Sequence, residues 1–182
     1  GIWDWSDAQW PEGVDGSEMY LGYLTTDTNR KLSNSSLPVS SEGEELTLLQ
    51  QIVEHDTSEW RVLTANDIDY HNPADGSGSH VGWYFDLPDY RERSIRDPQI
   101  RQRVAVMLSS VPSDSPCAAG GSSILYQIDA CSGGRTYEPQ FDVDGDNKID
   151  GDDIINIGDD NFVPVSGKKY DQMIFEPAFI SD

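Results

Sequence analysis

The amino-acid sequence predicts a mainly β fold built from antiparallel sheets. Short runs rich in aromatic and β-branched residues alternate with clusters of Gly, Pro, Ser and Asp, which is typical of strands separated by turns. Hydrophobic residues make up 36% of the chain and aromatic residues 10%, which is enough for a core. The length of 182 residues suits one domain, or one domain and part of another.

Four runs carry the clearest strand patterns: residues 61–64, 81–88, 103–111 and 122–130. The last two flank a loop at residues 112–121, so we expect them to pair as an antiparallel hairpin. The run at residues 45–54 fits either a helix or a strand, because its apolar positions match one helix face while its β-branched residues suit a strand.

The most specific chemical pattern is the run FDVDGDNKIDGDD at residues 141–153. It places carboxylates at positions 1, 3, 5, 9 and 12 of a twelve-residue loop, as in EF-hand-type calcium loops. The predicted ligands are the backbone carbonyl of Lys148 and the side chains of Asp142, Asp144, Asp146, Asp150 and Asp153. The ammonium of Lys148 is expected to point away from the ion.

The flanks of this loop predict a half EF-hand of the kind found in dockerins. Pro139 excludes a long helix before the loop, and a short helix is expected after it at residues 153–157. Asn147 stands where the loop usually has Gly, and Asn tolerates the left-handed conformation that this turn needs. Ile149 is predicted to anchor the loop to the core. The alternative is an acidic, solvated surface loop.

The formal net charge of −21 limits the function classes. It disfavours nucleic acid and anionic membranes as partners and favours divalent cations. No run approaches the roughly 18 apolar residues that a membrane helix needs. Adaptation to a salty habitat would also explain the acidity. The chain begins at Gly1 without Met, which is typical of a processed form or of a piece of a longer protein.

The two cysteines, Cys117 and Cys131, each neighbour a turn. A disulfide between them would close a loop of about 15 residues and stabilise the fold by roughly 3 kcal/mol in the chain-entropy model. Such a bridge fits an extracellular, calcium-rich environment. The alternative is two free thiols. Five of the eight arginines fall within residues 91–103, and we interpret them as a solvated patch or as counter-charges for acidic loops.

Several motifs occur in one order: GWYFDLP at 82–88, RER at 91–93, RVAVMLSSVP at 103–112, DSPCAAGGSSILYQIDACSGG at 114–134 and the acidic loop at 141–153. This order resembles the C-terminal domain of the PilY/PilC family, the tip adhesins and biogenesis factors of type IV pili. The resemblance covers about residues 45–160.

The resemblance implies a partial or modified β-propeller at residues 45–182, with one calcium loop at 142–153 that couples metal occupancy to pilus extension and retraction. Residues 1–44 form an unassigned, aromatic and turn-rich segment. Because a propeller of this kind is at least twice as long, the chain is expected to be a fragment or a short relative. Exposed strand edges would then favour assembly with other copies or a sister fragment.

These observations predict a calcium-binding, extracellular structural or adhesive module without enzymatic activity, exported through the periplasm and associated with pili. Its expected partners are pilus minor subunits, other copies of itself, or a surface or host ligand. One alternative is a dockerin-like module that binds proteins in a calcium-dependent manner. A hydrolase using His71 or His80 has thin support, since no nucleophile motif is present. A second calcium site would use Asn66, Asp67, Asp69 and Asp75.

Overall fold

The computed structural model describes residues 18–21, 46–72, 74–94, 96–113 and 120–174. Within these ranges the chain forms strands and no helix. The strands are β1 (Glu18–Leu21), β2 (Thr47–Gln50), β3 (Val53–Asp56), β4 (Trp60–Leu63), β5 (His80–Asp86), β6 (Gln99–Arg101), β7 (Val104–Pro112), β8 (Gly121–Asp129), β9 (Ile154–Asn156), β10 (Phe162–Pro164) and β11 (Gly167–Tyr170).

The described strands form three sheets. The largest has six strands in the order β3-β4-β11-β8-β7-β6, and all its neighbours are antiparallel. A three-stranded sheet has the order β1-β5-β2, and β9 and β10 form a hairpin. The pairing of β2 with β5 is parallel, which departs from the all-antiparallel prediction. The propeller arrangement implied by the resemblance stays a prediction.

All four predicted strands are present, as β4, β5, β7 and β8. The predicted hairpin is confirmed, because β7 and β8 pair in continuous register from Val104 opposite Asp129 to Pro112 opposite Gly121. The ambiguous run at residues 45–54 contributes two strands that belong to different sheets, β2 and β3. β1 lies within the unassigned N-terminal segment and pairs with β5.

The side chain of Gln51 stabilises the corner between β2 and β3. It is fully buried, and its amide nitrogen donates hydrogen bonds of 2.9 Å to the carbonyl oxygens of Asn66 and Ser132. Its amide oxygen accepts hydrogen bonds from the Thr64 hydroxyl and the Asn66 backbone N–H. Because these hydrogen bonds satisfy the buried polar groups of the corner, residues 45–54 form two strands rather than the helix that their sequence would also allow.

The short helix predicted after the acidic loop is wrong. Ile154–Asn156 is strand β9, which pairs with β10 through Ile155 opposite Val163. β-branched residues favour extended backbone. The turn between the strands also favours a hairpin, because Asp159 and Asp160 both adopt positive φ, which Asp tolerates better than most residues.

The six-stranded sheet is buried on both faces, because alternate residues along a strand point to opposite sides. On β8, Ile124, Tyr126 and Ile128 contribute to a first core cluster, whereas Leu125 packs against a second. The first cluster includes Trp83 and Phe85 of β5, so it joins the two larger sheets. The second cluster consists of Trp60, Val62, Phe141, Val163 and Val165.

Two of the motifs that carry the family resemblance contact each other in the first cluster. The indole N–H of Trp83 donates to the carbonyl oxygen of Ala130 at 3.2 Å. A Cβ atom on Gly133, whose φ is +74°, would lie 2.1 Å from the indole ring. Only glycine fits this close approach. The motifs GWYFDLP and DACSGG therefore form one packing unit.

A buried ionic network crosses the six-stranded sheet. Arg61 on β4 is fully buried and donates to both carboxylate oxygens of Glu92, at 3.1 and 2.9 Å. Its guanidinium also contacts the Tyr126 hydroxyl, both oxygens of Asp56 at 3.2 Å, and Asp89 at 2.9 Å. Every nitrogen of the guanidinium thus has an acceptor, which a buried charge requires.

Burial and charge set the protonation of this network. Burial disfavours the charged form of Arg61, but Tyr126, Glu92 and Asp56 outweigh it, so the pKa of Arg61 lies above its ordinary value. Burial, with the Glu92 charge second, raises the pKa of Tyr126 well above its ordinary value. The guanidinium stays charged and the phenol stays protonated, so Tyr126 can donate its hydrogen bond to Glu92 at 2.9 Å.

The clustered arginines do not form one patch. Arg93 pairs with Ser110 near the end of β7, whereas Arg101 pairs with Val104 at its start. Six residues of strand separate these positions by roughly 20 Å. Arg103 is exposed and lies 3.6 Å from Asp129. Arg93 thus lies near one end of β7 and Arg101 and Arg103 near the other, where Arg103 is a counter-charge to Asp129.

We expect Arg61→Ala to lower the free energy of unfolding by about 3–5 kcal/mol, because it leaves the Glu92 carboxylate buried without its partner. Urea unfolding followed by fluorescence measures this loss. The control is Arg103→Ala, which removes an exposed ion pair and should change stability by less than about 1 kcal/mol. Equal effects of the two variants would contradict a stabilising role for the network.

Candidate metal centre

The first residues of the acidic loop pack against the face of the six-stranded sheet that the second core cluster covers. Phe141 belongs to the second core cluster, and Val143 packs against it. The rings of Phe141 and Trp60 meet edge to face with centroids 5.9 Å apart. Packing of Phe141 and Val143 thus holds the start of the loop, with Asp142 and Asp144 next to them in the chain, against the sheet.

The loop brings together three of the five predicted carboxylates. One oxygen from each of Asp142, Asp144 and Asp146 lies within 4.8 Å of the others. Asp142 is half-buried, and the other two are exposed. Asp150 and Asp153 lie outside this group. Three anionic oxygens at this spacing repel one another, and they offer the hard oxygen donors that calcium prefers.

Local hydrogen bonds hold the cluster in place. The two carboxylate oxygens of Asp142 accept from the backbone N–H groups of Gly145 at 2.7 Å and Asn147 at 3.0 Å. Asp144 accepts from the N–H of Asp146 at 3.0 Å. Short Asp side chains commonly bond the backbone two residues ahead and so form turns. Asn147 has a φ of 67°, which confirms the predicted left-handed turn at this position.

Asp153 closes the loop from its far end. Its side chain is buried, and its Oδ1 atom accepts from the N–H groups of Val143 and Asp144 at 2.5 and 3.3 Å. Its Oδ2 atom accepts from the N–H of Asp150 at 2.8 Å. The hydrogen bonds from Asp150 and Val143 hold the pKa of Asp153 below its ordinary value. The carboxylate therefore joins the start, middle and end of the loop.

The structure bears on two predictions about side-chain direction, and the one for Ile149 is wrong. The ammonium of Lys148, predicted to point away from a bound ion, lies 3.0 Å from Asp146 Oδ2, because that carboxylate attracts it. Ile149 does not anchor the loop, since 57% of its surface is exposed. Phe141 and Val143 supply the anchor instead, because they precede the turn and face the second cluster.

A second acidic loop, at residues 67–80, does not assemble the predicted second calcium site among its described residues. Asp67, Asp69 and Asp75 do not converge, and the cluster at Asp142, Asp144 and Asp146 is the group of that kind within the described ranges. The Asp75 carboxylate accepts from the N–H and hydroxyl of Ser77. A dockerin-like pair of calcium loops therefore has no second member among the described residues.

The histidines of this loop take part in its backbone structure. His80 Nδ1 accepts from the N–H of Asp69 at 3.1 Å, and His71 Nδ1 lies 3.2 Å from the carbonyl oxygen of Gly78. Tyr70, which immediately precedes His71, donates a hydrogen bond from its hydroxyl to the carbonyl oxygen of Cys131 at 2.5 Å. These contacts close the loop onto the end of β8.

The predicted disulfide is not supported. Cys131 is an exposed free thiol, and Cys117 lies outside the described residues. The part of the chain that the structure describes contains no disulfide pair. In the same part of the chain, no helix has the length and apolar composition needed to cross a membrane.

Comparisons with known proteins place these features in context. No protein-family model matches the chain. The type IV pilus biogenesis factor PilY1 of Pseudomonas aeruginosa, in two strains, is 32% identical over 113 residues, which cover 60% of this chain. The crystal structure of the PilY1 C-terminal domain from the same species matches with a TM-score of 0.61 and 21% identity over 84% of this chain.

The resemblance to the C-terminal region of the PilY/PilC family is confirmed. The structural match covers a larger share of this chain than the sequence match does. It confirms a mainly β fold like that of the PilY1 C-terminal domain. The chain spans 10% of the length of full PilY1 and 31% of the matched domain structure.

Because its pKa is lowered by folding, Asp153 stabilises the fold fully above about pH 4, and this contribution is lost as the pH falls through the lowered value. We expect Asp153→Asn to be less stable at pH 7 and to lose less stability on acidification. Thermal melts between pH 7 and pH 2 test this. Asp160→Asn, in an exposed turn, should keep the wild-type pH profile, and parallel profiles for all three proteins would contradict the role of Asp153.

Proposed function

We propose that this chain is a calcium-binding structural or adhesive module of an exported, pilus-associated surface protein. The observation that carries the proposal is the convergence of Asp142, Asp144 and Asp146 in a loop with calcium-type spacing, within a chain that resembles the C-terminal region of the PilY/PilC family. Residues 45–182 are the proposed module, and no catalytic role is assigned to it.

The donor set fits calcium better than other common metals. The three converging groups are carboxylates, which suit a hard cation that takes 6–8 oxygen ligands. Asp150, Asp153 and the carbonyl of Lys148 complete the proposed ligands. Each carboxylate oxygen has two acceptor positions, so an oxygen that accepts an N–H still has capacity for an ion. Zinc usually takes His or Cys ligands.

In this proposal calcium has a structural role. A divalent ion would relieve the repulsion among the three carboxylates and stabilise the loop that packs on Trp60. Because binding occurs to the folded loop, the binding free energy adds to the stability of the module. Calcium sites in extracellular modules bind with dissociation constants of about 10⁻⁴–10⁻³ M, so occupancy would follow ambient calcium.

The pilus-associated role is proposed from the relative's name. PilY1 is a type IV pilus biogenesis factor, and we propose that this module likewise works at the cell surface with pilus minor subunits, or with a surface ligand. An extracellular location after export through the periplasm also suits a millimolar calcium site. The formal charge of −21 would attract divalent cations there.

We expect calcium at about 100 times its dissociation constant to stabilise the protein by about 2.7 kcal/mol, which corresponds to a melting-temperature rise of roughly 5–10 °C. Asp144→Ala should abolish the rise. Calorimetric melts with calcium and with chelator measure it, and Asp67→Ala, in the second acidic loop, is the matched control. A melt that does not respond to calcium would refute the calcium site.

We also propose that the module assembles through the edges of the six-stranded sheet, whose terminal strands among the described residues are β3 and β6. β3 carries Glu54 and Asp56, whose carboxylates bind Arg135 and Arg61, and charged residues on a terminal strand disfavour pairing. β6 instead presents Ile100, of which 62% is exposed. An apolar residue on a terminal strand favours pairing with another chain.

We therefore expect Ile100→Lys to reduce self-association, because a charged edge disfavours strand pairing. Ile52→Lys, at an exposed position outside β6, is the control and should have no effect. Size-exclusion chromatography with light scattering across concentration measures both. A wild-type protein that stays monomeric at high concentration would exclude this mode of assembly without affecting the calcium proposal.

A further inference from the structure

Lys148 places its own positive charge in the acidic loop. Its ammonium lies 3.0 Å from Asp146 Oδ2, and its backbone N–H donates to Asp146 Oδ1 at 2.8 Å. Asp146 is one of the three converging carboxylates. Each oxygen of this predicted ligand therefore accepts a hydrogen bond from Lys148, and one of the two donors carries a full positive charge.

This contact partly neutralises a strongly charged segment. Residues 142–153 contain six Asp and one Lys, so Lys148 is the loop's internal counter-ion. The side chain is 71% exposed, and that of Asp146 is 41% exposed, so the ammonium is held weakly and can leave the carboxylate for water. A cation that binds Asp146 would meet this ammonium and repel it.

We propose that Lys148 is a tethered competitor of calcium, which the ion must displace from Asp146, so that Lys148 sets the calcium concentration at which the loop fills. This inference rests on the proposed function of the loop. It assigns to the Lys148 side chain a regulatory role that is separate from the role of its backbone carbonyl as a ligand.

The proposal predicts that the contribution of the Lys148 side chain to stability depends on calcium. Without calcium, removal of the charge leaves the carboxylate repulsion unrelieved, so the protein is less stable than wild type. With saturating calcium, the ion no longer displaces an ammonium, so this difference shrinks or reverses. An exposed ion pair of this type corresponds to about a two- to fivefold change in calcium affinity.

The test compares the wild type with Lys148→Gln and Lys148→Arg. Both variants keep the backbone carbonyl, and Arg also keeps the charge. Isothermal titration calorimetry gives the calcium affinity, and melting temperatures are measured in chelator and in saturating calcium. We expect Lys148→Gln to bind calcium about two to five times more tightly and to melt below wild type only in chelator. Lys148→Arg should follow wild type.

The outcomes separate this inference from the calcium site itself. If the wild type binds calcium and Lys148→Gln binds it with equal or lower affinity, the tethered competitor is excluded and the calcium site stands. If both variants tighten binding equally, side-chain shape rather than charge is responsible, which also overturns the proposal. If the wild type neither binds calcium nor responds to it in melts, both ideas fail together.

Discussion

The buried guanidinium of Arg61 is the contact that links the strands of the six-stranded sheet to one another and to the β5–β6 loop. It holds Glu92 of the β5–β6 loop, Asp56 of β3 and Tyr126 of β8. Through Glu92 the network reaches Ser109 of β7, and through Asp56 it reaches Lys169 of β11. A buried charge is stable only if all its donors are satisfied, so these strands must occupy one relative arrangement. The network thus favours one register over the alternatives that apolar packing alone would allow.

Burial of both faces of the six-stranded sheet explains where the acidic loop lies. The first core cluster covers the face towards β5, and the second covers the opposite face with Phe141 and the β9–β10 hairpin. The acidic loop is therefore part of the layer that covers this second face of the six-stranded sheet. Its first residues are buried and its turn is exposed, so the charged groups meet solvent while the chain on either side of them contributes to the core.

The parts of the fold that the sequence predicts are those set by local pattern. β5, β7 and β8 have seven, nine and nine residues, which is long enough for a strand to be recognised from its residue types. The carboxylates converge through hydrogen bonds between neighbouring residues of the loop, which are local in sequence. β9 is only three residues long, too short to distinguish a strand period from a helical one. The parallel pairing of β2 and the position of β11, with the sequence GKKY, depend on distant partners. The directions of the Lys148 and Ile149 side chains do not follow from the sequence pattern, because they depend on which neighbours take the core positions and on which carboxylate lies nearby.

The packing of Trp60 gives the molecule an internal optical probe. Trp60 contacts Phe141, the residue immediately before the first carboxylate, and the ammonium of Lys168 lies 4.7 Å from the centroid of its ring. It is 8% exposed, so its indole is surrounded by protein groups rather than by water. A rearrangement of the loop that moves Phe141 would change the environment of this one indole, whereas Trp83 lies in the other cluster, beneath Gly133. Two of the five tryptophans, Trp60 and Trp83, therefore lie on opposite sides of the central sheet, and each indole senses the packing of its own side.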